Sequence, residues 1–220
     1  METIKNLLSN RFKTISVLTV SILFSILILM IRMKLTHSYF YLFLVWNLFL
    51  AVIPYTITTY LVSIPKPNKL WLVLCFGVWL LFLPNAPYII TDLLHLKIST
   101  TASLWLDILV ILSFAGNGLL LFFLSVSDMM AILKSYLNHT KITYVIFTIC
   151  LLNGFGVYLG RFLRYNSWEI LSNPKYLFVD IFNIILKPFQ NIDVWLFTFL
   201  FGLFLSLGYW MFTNLTFQKK

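Results

Sequence analysis

Long apolar stretches separated by short polar segments dominate the chain. Helices of about 17 to 25 residues are needed to cross a hydrocarbon layer of roughly 30 Å, and the apolar stretches are of about that length. Alternating strand-like patterns are not seen, so helices are the expected spanning elements. The pattern predicts an all-α, multi-pass membrane helix bundle that forms one domain over residues 1–220. The predicted spans are residues 14–31, 39–64, 70–96, 104–126, 142–163 and 193–217.

The third span is interrupted by two prolines within residues 80–96, which read LLFLPNAPYIITDLLHL. Pro84 lacks a backbone donor and disfavours helical dihedrals at Leu83, so the first part of the span is predicted to end there. That part is too short to cross the membrane alone. Asn85 then stands where an N-cap residue would, with Pro87 in the following first turn. The sequence predicts a span broken at residues 84–87.

A polar face is expected on the helix that follows this break. Tyr88, Asp92 and His95 are spaced four and three residues apart, which returns side chains to the same side of an α-helix. Ionisable groups in a membrane helix normally face a bundle interior, a wet cavity or the interface. The segment therefore predicts a polar surface near one membrane boundary.

A second stretch rich in polar side chains covers residues 160–170, GRFLRYNSWEI. Arg161 and Arg164 are predicted to share a helix face, because they are three residues apart. Asn166 and Glu169 fit the spacing of a capping box at the start of the next element.

A short helix is predicted over residues 174–187, with Asn173 as its cap and Pro174 in its first turn. Its polar side chains recur on one face, whereas most other positions are apolar. It is too short to span, so we expect it to lie in the membrane interface or to pack against the bundle. The polar positions are Tyr176, Asp180, Asn183 and Lys187.

Composition agrees with a membrane protein and narrows its partners. Hydrophobic residues make up 60% of the chain, charged residues 10%, and the mean hydropathy is +0.92. The net charge of +9 is assigned to loops, chain ends and lipid headgroups, because the chain offers no soluble basic surface for nucleic acid. Membrane lipids are the expected partners, and the sequence leaves cofactors and oligomeric state open.

Six spans place both termini on one side of the membrane. Lys and Arg are slightly more frequent on that side, which favours cytoplasmic termini. Both polar stretches, residues 80–96 and 160–170, then fall on the opposite side. Because two spans separate them, they share a side in either orientation of the chain.

These residues define a candidate site and a first hypothesis, the binding of an anion. Backbone donors at a helix beginning at Asn85 would attract an anion, and Arg161 and Arg164 would add bidentate donors for a phosphate or carboxylate. The ligand would be an anionic lipid headgroup or a lipid-linked envelope precursor. Alternatively, Asp92 and Glu169 pair with the arginines and only orient the helices. The candidate residues are Asn85, Tyr88, Asp92, His95, Asp107, Arg161, Arg164 and Glu169.

A membrane-embedded hydrolase or transferase and a small transporter are the alternative functions. Asp92 and His95, joined by Asp107 or Glu169, could hold a divalent metal, or an acid could orient the histidine as a base. A single Asp-x-x-His pair lacks the two-histidine face of helical zinc motifs. A transporter would be favoured by internal repeats, which are not visible in the two halves of the chain.

LPNAPYIITDLLHL, with Trp79 just upstream, and GRFLRYNSWEI together resemble a bacterial family of integral membrane proteins known as domain of unknown function 1361. The resemblance extends from about the second span to the last. It implies a protein of the bacterial plasma membrane and carries over no activity and no catalytic residues.

Overall fold

A computed structural model describes residues 2–64, 67–99, 101 and 103–217, with side chains from residue 11 onward except at 139, 171 and 217. The described chain is helical. Its elements are α1 (Glu2–Thr36), a 3₁₀ turn (Phe40–Leu42), α2 (Phe43–Val62), α3 (Lys69–Phe82), α4 (Asn85–Tyr88), a 3₁₀ helix (Ile89–Ile98), α5 (Leu104–Leu133), α6 (His139–Arg161), α7 (Glu169–Ser172), α8 (Pro174–Leu186) and α9 (Ile192–Phe217).

Six helical segments in the described part of the chain are long and apolar enough to cross a membrane. This confirms the predicted fold class, a multi-pass helix bundle. The segments extend over Arg11–Thr36, Phe40–Val62, Lys69–Ile98, Leu104–Leu133, Thr140–Arg161 and Ile192–Thr216.

The chain divides into two compact units, Met1–Asp128 and Met129–Lys220. They are described here as unit 1 and unit 2. That the whole chain forms a single domain stays a prediction.

In unit 1, two ion pairs join α1 to α5. The Arg11 Nη2 donates to Asp128 Oδ1 at 2.8 Å, and the Arg32 Nε donates to Asp107 Oδ1 at 2.8 Å. The residue nearer the start of α1 pairs with the residue nearer the end of α5, and the later residue of α1 pairs with the earlier one of α5. The two helices are therefore antiparallel. The pairs lie 21 positions apart on each helix, which is about 31 Å at 1.5 Å per residue. That distance is about the thickness of the hydrocarbon layer, so the spacing of the two pairs fits one pair at each membrane boundary.

Midway between these ion pairs, the amide of Asn117 on α5 holds the same two helices together. Its Nδ2 donates to the Ser25 hydroxyl of α1 at 2.9 Å, and both side chains are buried. Interhelical hydrogen bonds of this kind stabilise helix association where no water competes.

A buried serine on α5 joins two further helices of unit 1. The indole Nε1 of Trp79 on α3 donates to Ser125 Oγ at 2.8 Å, and the Thr58 hydroxyl of α2 lies 3.3 Å from the same oxygen. Trp79 and Ser125 are fully buried. These bonds fix α2 and α3 against α5 and so position the broken span that follows α3.

In unit 2, α6 and α9 pack against each other through two glycines. A Cβ added to Gly154 would lie 2.6 Å from the Thr198 carbonyl oxygen, and one added to Gly202 would lie 2.7 Å from a Leu151 methyl carbon. Only glycine permits this close approach of two spanning helices.

The short helix α8 covers Pro174–Leu186, close to the predicted 174–187, with Pro174 in its first turn. Leu177 and Ile184 are buried, and an outward face is apolar and exposed. An exposed apolar face beside a polar one is typical of a helix that lies in a membrane interface. The exposed apolar residues are Phe178, Val179, Phe182, Ile185 and Leu186.

Candidate functional site

The prolines do not end the helical path of the third span. Leu83 (φ −56°, ψ −39°) and Pro84 (φ −60°, ψ −24°) both keep right-handed helical dihedrals. The prediction that Leu83 leaves helical dihedrals is therefore wrong, although α3 does end at Phe82, next to the predicted end. Asn85 is also not an N-cap: it is the first residue of α4, and its Nδ2 donates back to the Phe82 carbonyl at 2.8 Å. The break is a change of helical pitch.

Two of the backbone donors expected to attract an anion at a new helix start are used within the helical path, and binding of an anion at this segment stays a prediction. The Ala86 N–H donates to the Leu83 carbonyl at 3.2 Å, and the Tyr88 N–H donates to the Pro84 carbonyl at 3.0 Å. Pro84 and Pro87 have no N–H to offer. Four-residue α4 thus uses its donors to continue the helix of α3, and its dipole is not a separate positive end.

Close packing against α5 explains why this irregular segment is tolerated. A Cβ added to Gly118 would overlap the carbonyl oxygen of Ala86. Ala86, Pro87 and Ile89 are buried. Irregular helical backbone inside a membrane protein is stable where protein covers it, and the glycine of α5 makes room for that cover.

Beyond Tyr88 the chain winds as a ten-residue 3₁₀ helix, although runs beyond about four residues are uncommon. With three residues per turn, Asp92 and His95 stay on one side, but Tyr88 is displaced by about a third of a turn from Asp92. The predicted common face therefore holds for Asp92 and His95 and does not include Tyr88.

Asp92 is fully buried at the centre of a small polar group in unit 1. Its Oδ2 accepts a hydrogen bond from Asn47 Nδ2 of α2 at 3.1 Å, and its Oδ1 lies 3.8 Å from His95 Nε2. The amide orients the carboxylate, and a protonated His95 would pair with it. The sequence analysis did not identify Asn47, which is a lone amide in an otherwise apolar span.

His95 is about one third exposed and is framed by aromatic rings. The ring centroids of Phe40 and Phe43 lie 5.6 Å and 5.1 Å from that of the imidazole, both edge-on. These contacts favour a fixed orientation of the imidazole beside Asp92.

Asp107 belongs to a different network from Asp92. It is fully buried, its Oδ1 accepts from Arg32, and its Oδ2 accepts from the Ser99 hydroxyl at 2.6 Å. Tyr41 lies 3.2 Å from the Ser99 oxygen, and its ring is covered by the Arg32 guanidinium at 4.6 Å. Both carboxylate oxygens thus have partners within unit 1, which favours a structural role over the predicted ligand role.

A metal site was one of the predictions for these acids and histidines. Within the described residues, no three or more His, Cys, Asp or Glu side chains come together in a group that could hold a metal ion. The predicted ligands Asp92, His95 and Asp107 instead belong to the polar contacts described above.

In unit 2, the two arginines are not on one helix face. Arg161 is the last residue of α6, whereas Arg164 lies beyond the helix with φ 62°. This left-handed residue lets the Tyr165 N–H return to the Leu159 carbonyl at 3.1 Å, a helix ending that usually has glycine at the left-handed position. Arg164 is exposed and, among the described residues, forms no ion pair.

Glu169 closes the loop that begins at Arg161. Its Oε1 accepts hydrogen bonds from the backbone N–H and the Nδ2 of Asn166, each at 2.9 Å. The glutamate side of the predicted capping box is confirmed. This carboxylate is therefore held by the loop itself.

Tyr165 fastens the same loop to α8. Its hydroxyl donates to Asp180 Oδ2 at 2.6 Å. This hydrogen bond, together with some burial, raises the pKa of Tyr165 to about 12, because deprotonation would place two negative oxygens in contact. The sequence analysis placed Asp180 on the polar face of this helix but did not identify its partner.

The predicted site thus separates into candidates of unit 1 (Asn85, Tyr88, Asp92, His95 and Asp107) and candidates of unit 2 (Arg161, Arg164 and Glu169). That they form one common site stays a prediction.

Comparisons with known proteins identify the family. No curated protein and no solved structure matches the chain. The model of a family described as "Protein of unknown function (DUF1361)" matches residues 46–207, most of the chain. The match includes both polar stretches and Asn47, but α1 and its Arg32 precede it. The chain therefore belongs to the DUF1361 family and is a multi-pass membrane protein.

Proposed function

We propose that this protein binds the phosphate-bearing headgroup of an anionic lipid through the loop after α6, on the outer side of a bacterial plasma membrane. Arg161 and Arg164 flank the start of this loop. A guanidinium is well suited to a phosphate, because it donates two parallel, charge-assisted hydrogen bonds.

One observation carries the proposal: Arg164 is exposed, and two acids of the helices that follow its loop, Glu169 of α7 and Asp180 of α8, have other hydrogen-bond partners. Glu169 accepts from Asn166, and Asp180 accepts from Tyr165. These local hydrogen bonds order the loop and direct both carboxylates away from pairing with Arg164. An exposed cation whose neighbouring carboxylates accept hydrogen bonds from other groups is available to bind an anion.

The surroundings favour a lipid over a soluble anion. The exposed apolar face of α8 is typical of a helix in contact with a bilayer, and Lys175 and Lys187 at its ends are exposed. Tyr165 connects the loop to this helix. The loop would therefore lie at the level of lipid phosphates.

Native mass spectrometry of the full chain in detergent tests the proposal, with phosphatidate and the zwitterionic phosphatidylcholine titrated separately. We expect a preference for phosphatidate that falls about tenfold in Arg164→Gly, since a charge-assisted hydrogen bond is lost. Glycine suits φ 62°, so this variant should melt no lower than wild type.

Lys134→Gln is the matched control, because Lys134 is also exposed and basic but lies at the end of α5. It should bind as wild type does. Equal affinity for the two lipids, or equal losses in both variants, would refute specific recognition by the loop.

A second candidate function, a membrane-embedded hydrolase or transferase, is favoured by the group of Asn47, Asp92 and His95. A buried carboxylate oriented by an amide can in turn orient a histidine as general base. Incubation with a panel of phospholipids and analysis of products by mass spectrometry tests this. Turnover that His95→Gln abolishes, at unchanged melting temperature, would support it, and the absence of turnover in wild type would reject it.

A further inference from the structure

A continuous row of aromatic rings joins α6 to α9 in unit 2. Three rings contact one another next to the loop: the centroids are 4.8 Å apart for Tyr158 and Phe162, 5.5 Å for Phe162 and Phe197, and 5.7 Å for Tyr158 and Phe197. From Phe197 the row continues to Phe201 at 5.2 Å and from there to Phe204 at 5.8 Å. These five residues are called the aromatic ridge. Contacts between neighbouring rings restrict the rotation of the side chains and so give the aromatic ridge a defined surface shape.

The aromatic ridge begins at the basic loop and leads into the membrane. Phe162 lies between Arg161 and Arg164 in sequence and is 48% exposed. Phe204, at the other end, is 47% exposed. From Phe197 to Phe204, α9 rises about 10 Å at 1.5 Å per residue, most of the depth of one leaflet. An apolar track therefore continues directly from the proposed phosphate site.

We propose that the aromatic ridge holds the hydrocarbon chain of a polyprenyl phosphate whose phosphate is bound by Arg161 and Arg164. This inference rests on the proposed function and names its ligand. Beyond the group of three rings next to the loop, Phe197, Phe201 and Phe204 follow one another in a single row, which suits one hydrocarbon chain, whereas a phospholipid brings two. Methyl branches and double bonds along a polyprenyl chain give it more contact with ring faces than a smooth, mobile acyl chain makes.

The experiment compares three ligands by native mass spectrometry of the full chain: a long-chain polyprenyl phosphate, the corresponding polyprenol, and phosphatidate. Wild type should bind polyprenyl phosphate most tightly. Phe204→Leu and Phe201→Leu should each weaken that binding by about three- to tenfold, because a ring contact is lost, with little effect on phosphatidate.

Phe199→Leu is the matched control, since Phe199 is on the same helix and 52% exposed but is not in the ridge. Phe204 is exposed, so its replacement should leave the melting temperature unchanged and keeps the test valid if Phe201→Leu fails to fold. Equal binding of polyprenyl phosphate and phosphatidate, unaffected by ridge variants, would overturn the polyprenyl assignment but leave phosphate recognition intact. Equal binding of polyprenyl phosphate and polyprenol would instead overturn the proposed function itself.

Discussion

At the level of single residues, backbone conformation determines the directions of side chains that sequence spacing alone could not predict. Arg161 and Arg164 have the spacing of a helix face, but the helix ends between them and Arg164 adopts a left-handed conformation. Arginine does not favour a left-handed backbone conformation, so the sequence pattern did not indicate one at this residue. The residue types of the site were predictable, whereas their directions depended on where α6 ends.

The bond between Tyr165 and Asp180 predicts a late-titrating tyrosine. Because the folded state raises its pKa from 10 to about 12, the bond's contribution to stability is present below pH 10 and is lost as pH rises through about 12. The difference in absorbance at 295 nm between wild type and Tyr165→Phe should show one phenol titrating near pH 12. A midpoint near 10 would show that the hydrogen bond to Asp180 is not maintained.

At the level of helices, the spans could be predicted because the length of an apolar stretch indicates a membrane span directly. The contacts that join one helix to another could not be predicted. Arg11 and Arg32 look like boundary charges that only set topology, yet each pairs with an acid of α5. Pairing between distant helices leaves no local signature, so sequence reasoning assigned Asp107 to the ligand site.

The buried pair of Arg32 and Asp107 should be essential to unit 1. Arg32→Met leaves Asp107 buried without its cation and should destabilise the fold by about 3 to 5 kcal/mol, a large drop in melting temperature. Adding Asp107→Leu should restore much of the loss. Lys34→Met, an exposed neighbour on α1, should change little. A mild effect of Arg32→Met would mean that the pair does not join α1 to α5.

Two glycines of α5 offer a matched test of the broken span. A methyl group at Gly118 would overlap the Ala86 carbonyl, whereas one at Gly116 would meet nothing within 4 Å. Gly118→Ala should therefore destabilise the protein by about 1 to 3 kcal/mol, and Gly116→Ala should be neutral or slightly stabilising. Thermal unfolding in detergent measures both. Equal melting temperatures would contradict close packing of α4 on α5.

For the whole molecule, composition and span length were sufficient to predict a multi-pass helical protein, and six apolar helices in the described chain confirm it. The break at Pro84 was placed correctly, but its nature was not, because proline statistics cannot show that Gly118 will make room for a continued helical path. The ligand could not be predicted from the sequence, because its identity depends on how the charged side chains are arranged after folding.

Electron cryo-microscopy of the full chain in lipid nanodiscs that contain phosphatidate tests whether Arg164 binds a lipid phosphate. We expect density for a phosphate within hydrogen-bond distance of the Arg164 guanidinium, and we expect this density to be absent in the same preparation of Arg164→Gly. Arg164 paired with a protein carboxylate, or ordered headgroups that avoid the loop after α6, would contradict it.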